Sequence, residues 1–239
     1  MFDKRSLVKV KNMATNKVLI EGSSLPSVSH AQLKELHRQL DEGDLNGNHI
    51  QALLRHENPF SLDSVVIDWR AVYRKLGMQC QQEIPASPNH WIILVEKGVT
   101  MNRVVRTLRS LGVTVSLYTE DLDADVNKND RDPASGSYVV RFQKTIEADP
   151  ELASKSAETL VKEQVNGITL LERLLLELGY FMTTGLHLDI ENWTLCTGSR
   201  LLDGLVPGVR WYTDDRKVYV GLGSPSGSLP GLRARAVVS

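Results

Sequence analysis

Residues 167–200 read GITLLERLLLELGYFMTTGLHLDIENWTLCTGSR, and this stretch decides the fold. Thr169 and Glu172 have the T-x-x-E spacing of a capping box, in which each side chain takes up the other residue's backbone N–H at a helix start. Leu171, Leu174, Leu175, Leu178, Phe181 and Met182 then recur at helical spacing on one side. Glu172, Arg173 and Glu177 fall on the other, and the apolar stripe is broader than a surface helix needs, which reads as a core helix. Leu176 and Tyr180 lie near that polar face, so cover over more than half the girth is expected. Gly179 costs about 1 kcal/mol relative to alanine inside a helix, and a close-packed neighbour is the reason expected for it. Gly185 suits a left-handed stop. The run is too short and too charged to span a bilayer. The expected fold class is therefore α+β: a mixed sheet packed against a central amphipathic helix, with a small, mainly helical N-terminal module.

Working outward, residues 1–60 read as that module. Leu7–Ile20 has the alternation of a short hairpin. Ser29 and Gln32 make a second capping box, and Leu33, Leu36 and Leu40 form its inward stripe. His49–His56 reads as another short helix, with Ile50, Leu53 and Leu54 inward. The pair forms an αα-hairpin rather than a DNA-reading helix-turn-helix, since Gln51, Arg55 and His56 are too few contacts for base readout. Asn58-Pro59-Phe60 breaks the pattern, leaving 61–239 as the α+β domain. Within it, strand Trp91–Glu96, helix Met101–Leu111 and strand Val113–Tyr118 read as one unit whose strands run parallel if adjacent. A strand at Ser137–Gln143 and a helix around AETLVKEQV precede the central helix. Trp193–Cys196, Val209–Thr213 and Lys217–Leu222 follow it as strands, with Asp214-Asp215 at the last turn.

The chain has 239 residues, is 41% apolar and carries a net charge of −1, so no global field selects nucleic acid or membrane. The charge is uneven: residues 61–119 hold seven basic and four acidic groups, residues 120–166 six and eleven. The two cysteines, Cys80 and Cys196, have no metal-ligand spacing and suit a reducing compartment. The first residues lack an apolar signal region, so a cytoplasmic location is expected.

Four constellations could carry chemistry. In the acidic loop EDLDADVNKNDRDP, Asp121, Asp123 and Asp125 have the D-x-D-x-D spacing of a calcium loop, and Asp130 and Asp132 add further hard oxygens for Ca²⁺ or Mg²⁺. Against that, Val126 replaces the turn glycine, and Asp132 is shorter than the usual bidentate glutamate. His187, Asp189 and Glu191 would share one face of an extended segment, placing acid–base or metal-binding groups together. Cys196 and Arg200 flank a Gly-Ser turn in which the arginine could activate the thiol, although the spacing is not that of a phosphatase loop. Arg103, Arg106 and Arg109 recur three apart on one helix, a stripe able to hold phosphates. GxSxG, P-loop, HExxH and GxGxxG motifs are all absent from the sequence.

The blocks NDRDP from Asn129, TLLERLLLEL from Thr169, HLDIEN from His187, TLCTGSR from Thr194, VPGVRW from Val206 and RARAVVS from Arg233 resemble those of a family of uncharacterised bacterial proteins, over roughly residues 64–239. The resemblance implies a bacterial cytoplasmic setting and assigns no functional residue. Two functions are weighed on the residues. One is a non-catalytic binding or interaction protein, with a protein partner favoured over nucleic acid, no membrane, and scope for a homo-oligomer. The other is a metal-dependent hydrolase of a phosphoester. There Asp130, Asp132, Asp189 and Glu191 hold divalent ions, His187 or Glu191 activates water, and Arg131 or Arg200 steadies the developing charge.

Overall fold

The computed structural model describes residues 28–42, 45, 47–55, 62, 65–83, 85 and 87–238. The hairpin expected at Leu7–Ile20 and the boundary at Asn58–Phe60 lie outside them. The α+β class holds. Helices α1 (His30–Asp41), α2 (Gly47–Leu54) and α3 (Trp69–Lys75) lead into β1 (His90–Val95), α4 (Met101–Ser110) and β2 (Thr114–Leu117). A short α5 (Leu122–Asp125), β3 (Lys128–Asn129), β4 (Tyr138–Gln143), a 3₁₀ turn (Pro150–Leu152) and α6 (Ala157–Lys162) precede the long α7 (Leu170–Thr184). The chain then lays down β5 (Trp193–Leu195), β6 (Ser199–Arg200), β7 (Val206–Tyr212), β8 (Lys217–Gly223) and β9 (Leu232–Arg233).

The main sheet has the order β2-β8-β7-β5-β9, with β2 parallel to β8, β9 parallel to β5 and the remaining pairs antiparallel. The strand–helix–strand unit forms, but its two strands do not meet. β1 pairs antiparallel with β4 in a separate two-stranded sheet, while β2 goes to the edge of the main one. Helix α7 lies between the two sheets, packed on β1, β7, α3 and α4. Its capping box closes as expected: Glu172 N–H donates to Thr169 Oγ1 and Thr169 N–H to Glu172 Oε2. Gly185 ends it at φ 74°.

The cover expected over more than half of α7 extends to its charged side: Glu172, Arg173 and Glu177 are all fully buried, alongside Leu176 and Tyr180. Conversely, α1 buries no residue, and Leu33, Leu53 and Leu54 of the expected inward stripes are exposed. No element packs extensively on α1 or α2 among the described residues, whereas α7 packs on α3, α4, β1 and β7.

The close neighbour expected at Gly179 is Ile67. A Cβ built there would stand 2.7 Å from Ile67 Cγ2, a methyl held on the β-branch of a buried side chain with little room to yield. Gly179→Ala is therefore expected to destabilise the fold by about 1–2 kcal/mol in urea unfolding despite alanine's better helix propensity. Combined with Ile67→Ala, it should cost less than the sum of the two single changes.

Candidate functional site

The three charged residues of α7 are buried because each finds a partner: Glu172 the earlier Arg131, Arg173 the later Asp189, and Glu177 both Arg173 and the later His187. Arg173 Nε donates to Asp189 Oδ2 at 2.7 Å and Arg173 Nη1 to Glu177 Oε2 at 2.8 Å. Arg235, from the C-terminal segment, donates to Asp189 Oδ1 at 2.8 Å and to the carbonyls of Thr145 and Ile146. Thr194 Oγ1 donates to Asp189 as well. The result is a chain of alternating charge, Arg235–Asp189–Arg173–Glu177, with every side chain fully buried. Buried carboxyls alone would hold their protons. Here burial raises the Glu177 value, but Arg173 and a hydrogen bond from His187 outweigh it and hold the group below its ordinary range. Burial likewise raises Asp189, and Arg235 and Arg173 more than offset it.

The chain of charge ends at His187. Its Nδ1 lies 2.6 Å from Glu177 Oε1. A carboxylate held ionised can only accept, so Nδ1 carries the proton and, in the neutral ring, Nε2 is the bare acceptor. The ring is clamped on both faces. Trp211 stacks at 3.5 Å between centroids and 10°, and Phe181 at 5.0 Å and 20°. The edge left open faces a groove of about 510 Å³ that His187 lines together with Phe181, Leu186, Ile190 and Trp211. Thr114, Thr213 and an exposed Glu42–Arg216 pair complete the groove.

The other expected sites come apart. His187, Asp189 and Glu191 do not share a strand face: Asp189 sits at φ 57° and is fully buried, while Glu191 is exposed. The turn that aims Asp189 at the two arginines also sends Ile190 to the surface. Asp121 and Asp123 are spent as helix caps. Asp121 accepts from Ala124 N–H at the start of α5, and Asp123 accepts from Met101 and Asn102 at the start of α4. Asp125 ends α5, and Asp130 and Asp132 are exposed, with Asp132 accepting from Ala134 N–H. Among the described residues no three His, Cys, Asp or Glu side chains are placed to hold a metal ion, so these residues do not fit the divalent site.

Cys196 is fully buried, and burial pushes its thiol up, away from a nucleophile's range. Arg200 does not activate it, since its guanidinium donates to the carbonyls of Thr197 and Ser199. Arg131 is committed to Glu172, at 2.6 and 2.8 Å, and to Gly167 O. The arginine stripe divides: Arg103 donates to Leu76 O and Arg109 to Val115 O, while Arg106 is exposed without a partner among the described residues. Sequence reasoning picked out His187 and Asp189. It missed Arg235 and Trp211, and gave Arg173 and Glu177 no partner. An i,i+4 Arg–Glu pair on a helix that also carries leucine beside it was the available signal.

No protein-family model, curated protein or solved structure matches this chain.

Removing one member of a buried ion pair leaves its partner's charge uncompensated. Arg173→Met strands Glu177 and shifts Asp189 onto Arg235 alone, and is expected to cost about 3–5 kcal/mol in urea unfolding. Because Glu177 and Asp189 have lowered folded-state values, their stabilisation is present above the ordinary carboxyl values of 4.5 and 3.8 and is lost as pH falls below them. The unfolding free energy should therefore drop with acidification from about pH 4.5 downward, with a shallower drop in Asp189→Asn.

Proposed function

We propose that this chain is a non-catalytic binding protein that takes a small, partly apolar ligand in the groove over Trp211 and His187. The observation that carries the reading is the clamped imidazole. Its faces are stacked, its Nδ1 is tied to a buried carboxylate, and its open edge lines a groove of the size that small ligands occupy. A ring so fixed serves as a hydrogen-bond post for a ligand's N–H or O–H. Proton-transfer chemistry would need a nucleophile or a second acid–base group beside it. The groove's lining offers two threonines, the phenol of Tyr180, whose ionisation burial disfavours, and an exposed ion pair whose members already face each other.

A bacterial cytoplasmic setting belongs to the same proposal. It rests on the sequence blocks and on two free thiols, Cys80 and Cys196. No helix among the described residues is long and apolar enough to cross a membrane. A protein partner and a homo-oligomer go with this reading. The metal-dependent hydrolase gains no support, because Asp189 is consumed by two arginines and two of the loop aspartates by helix ends.

A fragment library screened by thermal shift, with hits mapped by NMR, tests the reading. Hits are expected to perturb Trp211 and His187, and His187→Gln is expected to weaken them about tenfold. Manganese-dependent turnover of a phosphoester by the wild-type chain, lost on Asp130→Asn or Asp132→Asn, would sink it in favour of the hydrolase.

A further inference from the structure

Side chains alternate along a strand. Trp211 turns inward to His187, and its neighbours Arg210 and Tyr212 turn to the opposite face of the main sheet. The β7–β8 register sets Tyr212 opposite Lys217, Arg210 opposite Tyr219 and Gly208 opposite Gly221. Trp193 from β5 reaches across the glycine pair. A Cβ on Gly208 would come 3.3 Å from its ring, and one on Gly221 would stand 3.2 Å from it and 2.7 Å from the Tyr219 ring. Two absent side chains thus make the seat on which these rings rest.

The three rings are mutually perpendicular. Trp193 and Tyr219 are 5.6 Å apart at 87°, Tyr212 and Tyr219 5.9 Å at 84°, and Trp193 and Tyr212 6.0 Å at 83°. Each is partly exposed. They line an open depression of about 440 Å³, completed by Asp215, Lys217, Gly221 and Leu222. Asp215 and Lys217 sit side by side, 2.8 Å between carboxylate oxygen and ammonium nitrogen.

The solvent face of an antiparallel sheet is ordinarily polar, and a cluster of large rings there marks a contact surface. The surrounding charges select the ligand. The Arg210 guanidinium already lies over Tyr212 at 5.0 Å and Lys217 stands at the rim, so an organic cation would meet two positive charges. Arg210 also donates to Ile190 O and Lys217 to Asp215, so a phosphate would have to break a formed pair and face a carboxylate. A neutral ligand with C–H faces for the rings and adjacent hydroxyls for the acceptor–donor pair meets no such cost. Ring faces attract the positive edges of C–H bonds. Asp215 can accept from one hydroxyl while Lys217 donates to its neighbour.

We propose that Trp193, Tyr212, Tyr219, Asp215 and Lys217 form a saccharide-binding site, in which a pyranose ring lies against the aromatic rings and a vicinal diol bridges Asp215 and Lys217. The site is on the opposite sheet face from the His187 groove and stands independently of it.

The test is saturation-transfer NMR and calorimetric titration of the full chain with maltotriose, cellotriose, mannotriose and the trimer of N-acetylglucosamine. A proline-rich decapeptide and choline serve as controls. At least one trisaccharide is expected to bind saturably, with Trp193→Ala weakening it about tenfold and His187→Gln leaving it unchanged. Should Trp193→Ala misfold, Asp215→Ala, at an exposed side chain, is expected to weaken the same sugar severalfold. The proposal is overturned if no trisaccharide binds, if binding survives both substitutions, or if the peptide or choline binds where the sugars do not.

Discussion

Asp189 between Arg173 and Arg235 is the interaction on which the rest of the structure depends. It is where the central helix, the segment that follows it and the C-terminal segment are tied at one point, with all three side chains away from water. Charges taken out of water are costly, and the attraction between them offsets that cost only when every hydrogen-bonding position is filled. Here the filling is thorough. Asp189 accepts from both guanidinium groups and from Thr194, Arg235 donates also to two carbonyls, and Arg173 passes its remaining capacity to Glu177 and Leu188 O. The left-handed backbone at Asp189 follows from the same demand. It is a conformation L-residues other than asparagine and aspartate rarely take, and it lets the carboxylate turn inward while its neighbours point elsewhere.

From that knot the placement of the groove follows. Glu177 is one helical turn beyond Arg173, and its second oxygen is the one that meets His187. The imidazole is thus oriented by a charge network whose far end is anchored in the tail, near β9. The same backbone turn brings Trp211 N–H onto Asp189 O at 3.0 Å, which holds β7 against the segment and presents the Trp211 ring to the imidazole. A single strand therefore faces two ways, one ring clamping His187 and the next standing on the outer sheet face.

Much of the fold was legible in the sequence. The T-x-x-E box, the leucine periodicity and Gly185 located α7, because capping and periodicity are local properties of the chain. Gly179 announced a close contact, and its partner, Ile67, lies over a hundred residues earlier, a distance no local pattern encodes. Three of the five strands after α7, β5, β7 and β8, were found for the same local reasons. Sheet partnership was not: the two strands of the 91–118 unit go to different sheets, since pairing depends on which surfaces are already covered.

The site was legible in its residues and illegible in its wiring. His187 and Asp189 stood out because alternation would place them, with Glu191, on one face of an extended segment. Reading them as one face of a strand failed because strand alternation assumes extended backbone, and the positive φ at Asp189 removes it. The pairing of Arg173 and Glu177 was hidden for a deeper reason. Helical periodicity sorts residues by polarity, and polarity predicts exposure only while a charge has no buried partner of opposite sign. Arg235, sixty-two positions beyond Arg173, supplies the second cation that lets Asp189 and its neighbours stay charged inside. A charged residue on a helix that is apolar on nearly every side is thus a pointer to a distant counter-charge, and the tail sequence RARAVVS is where this chain keeps it.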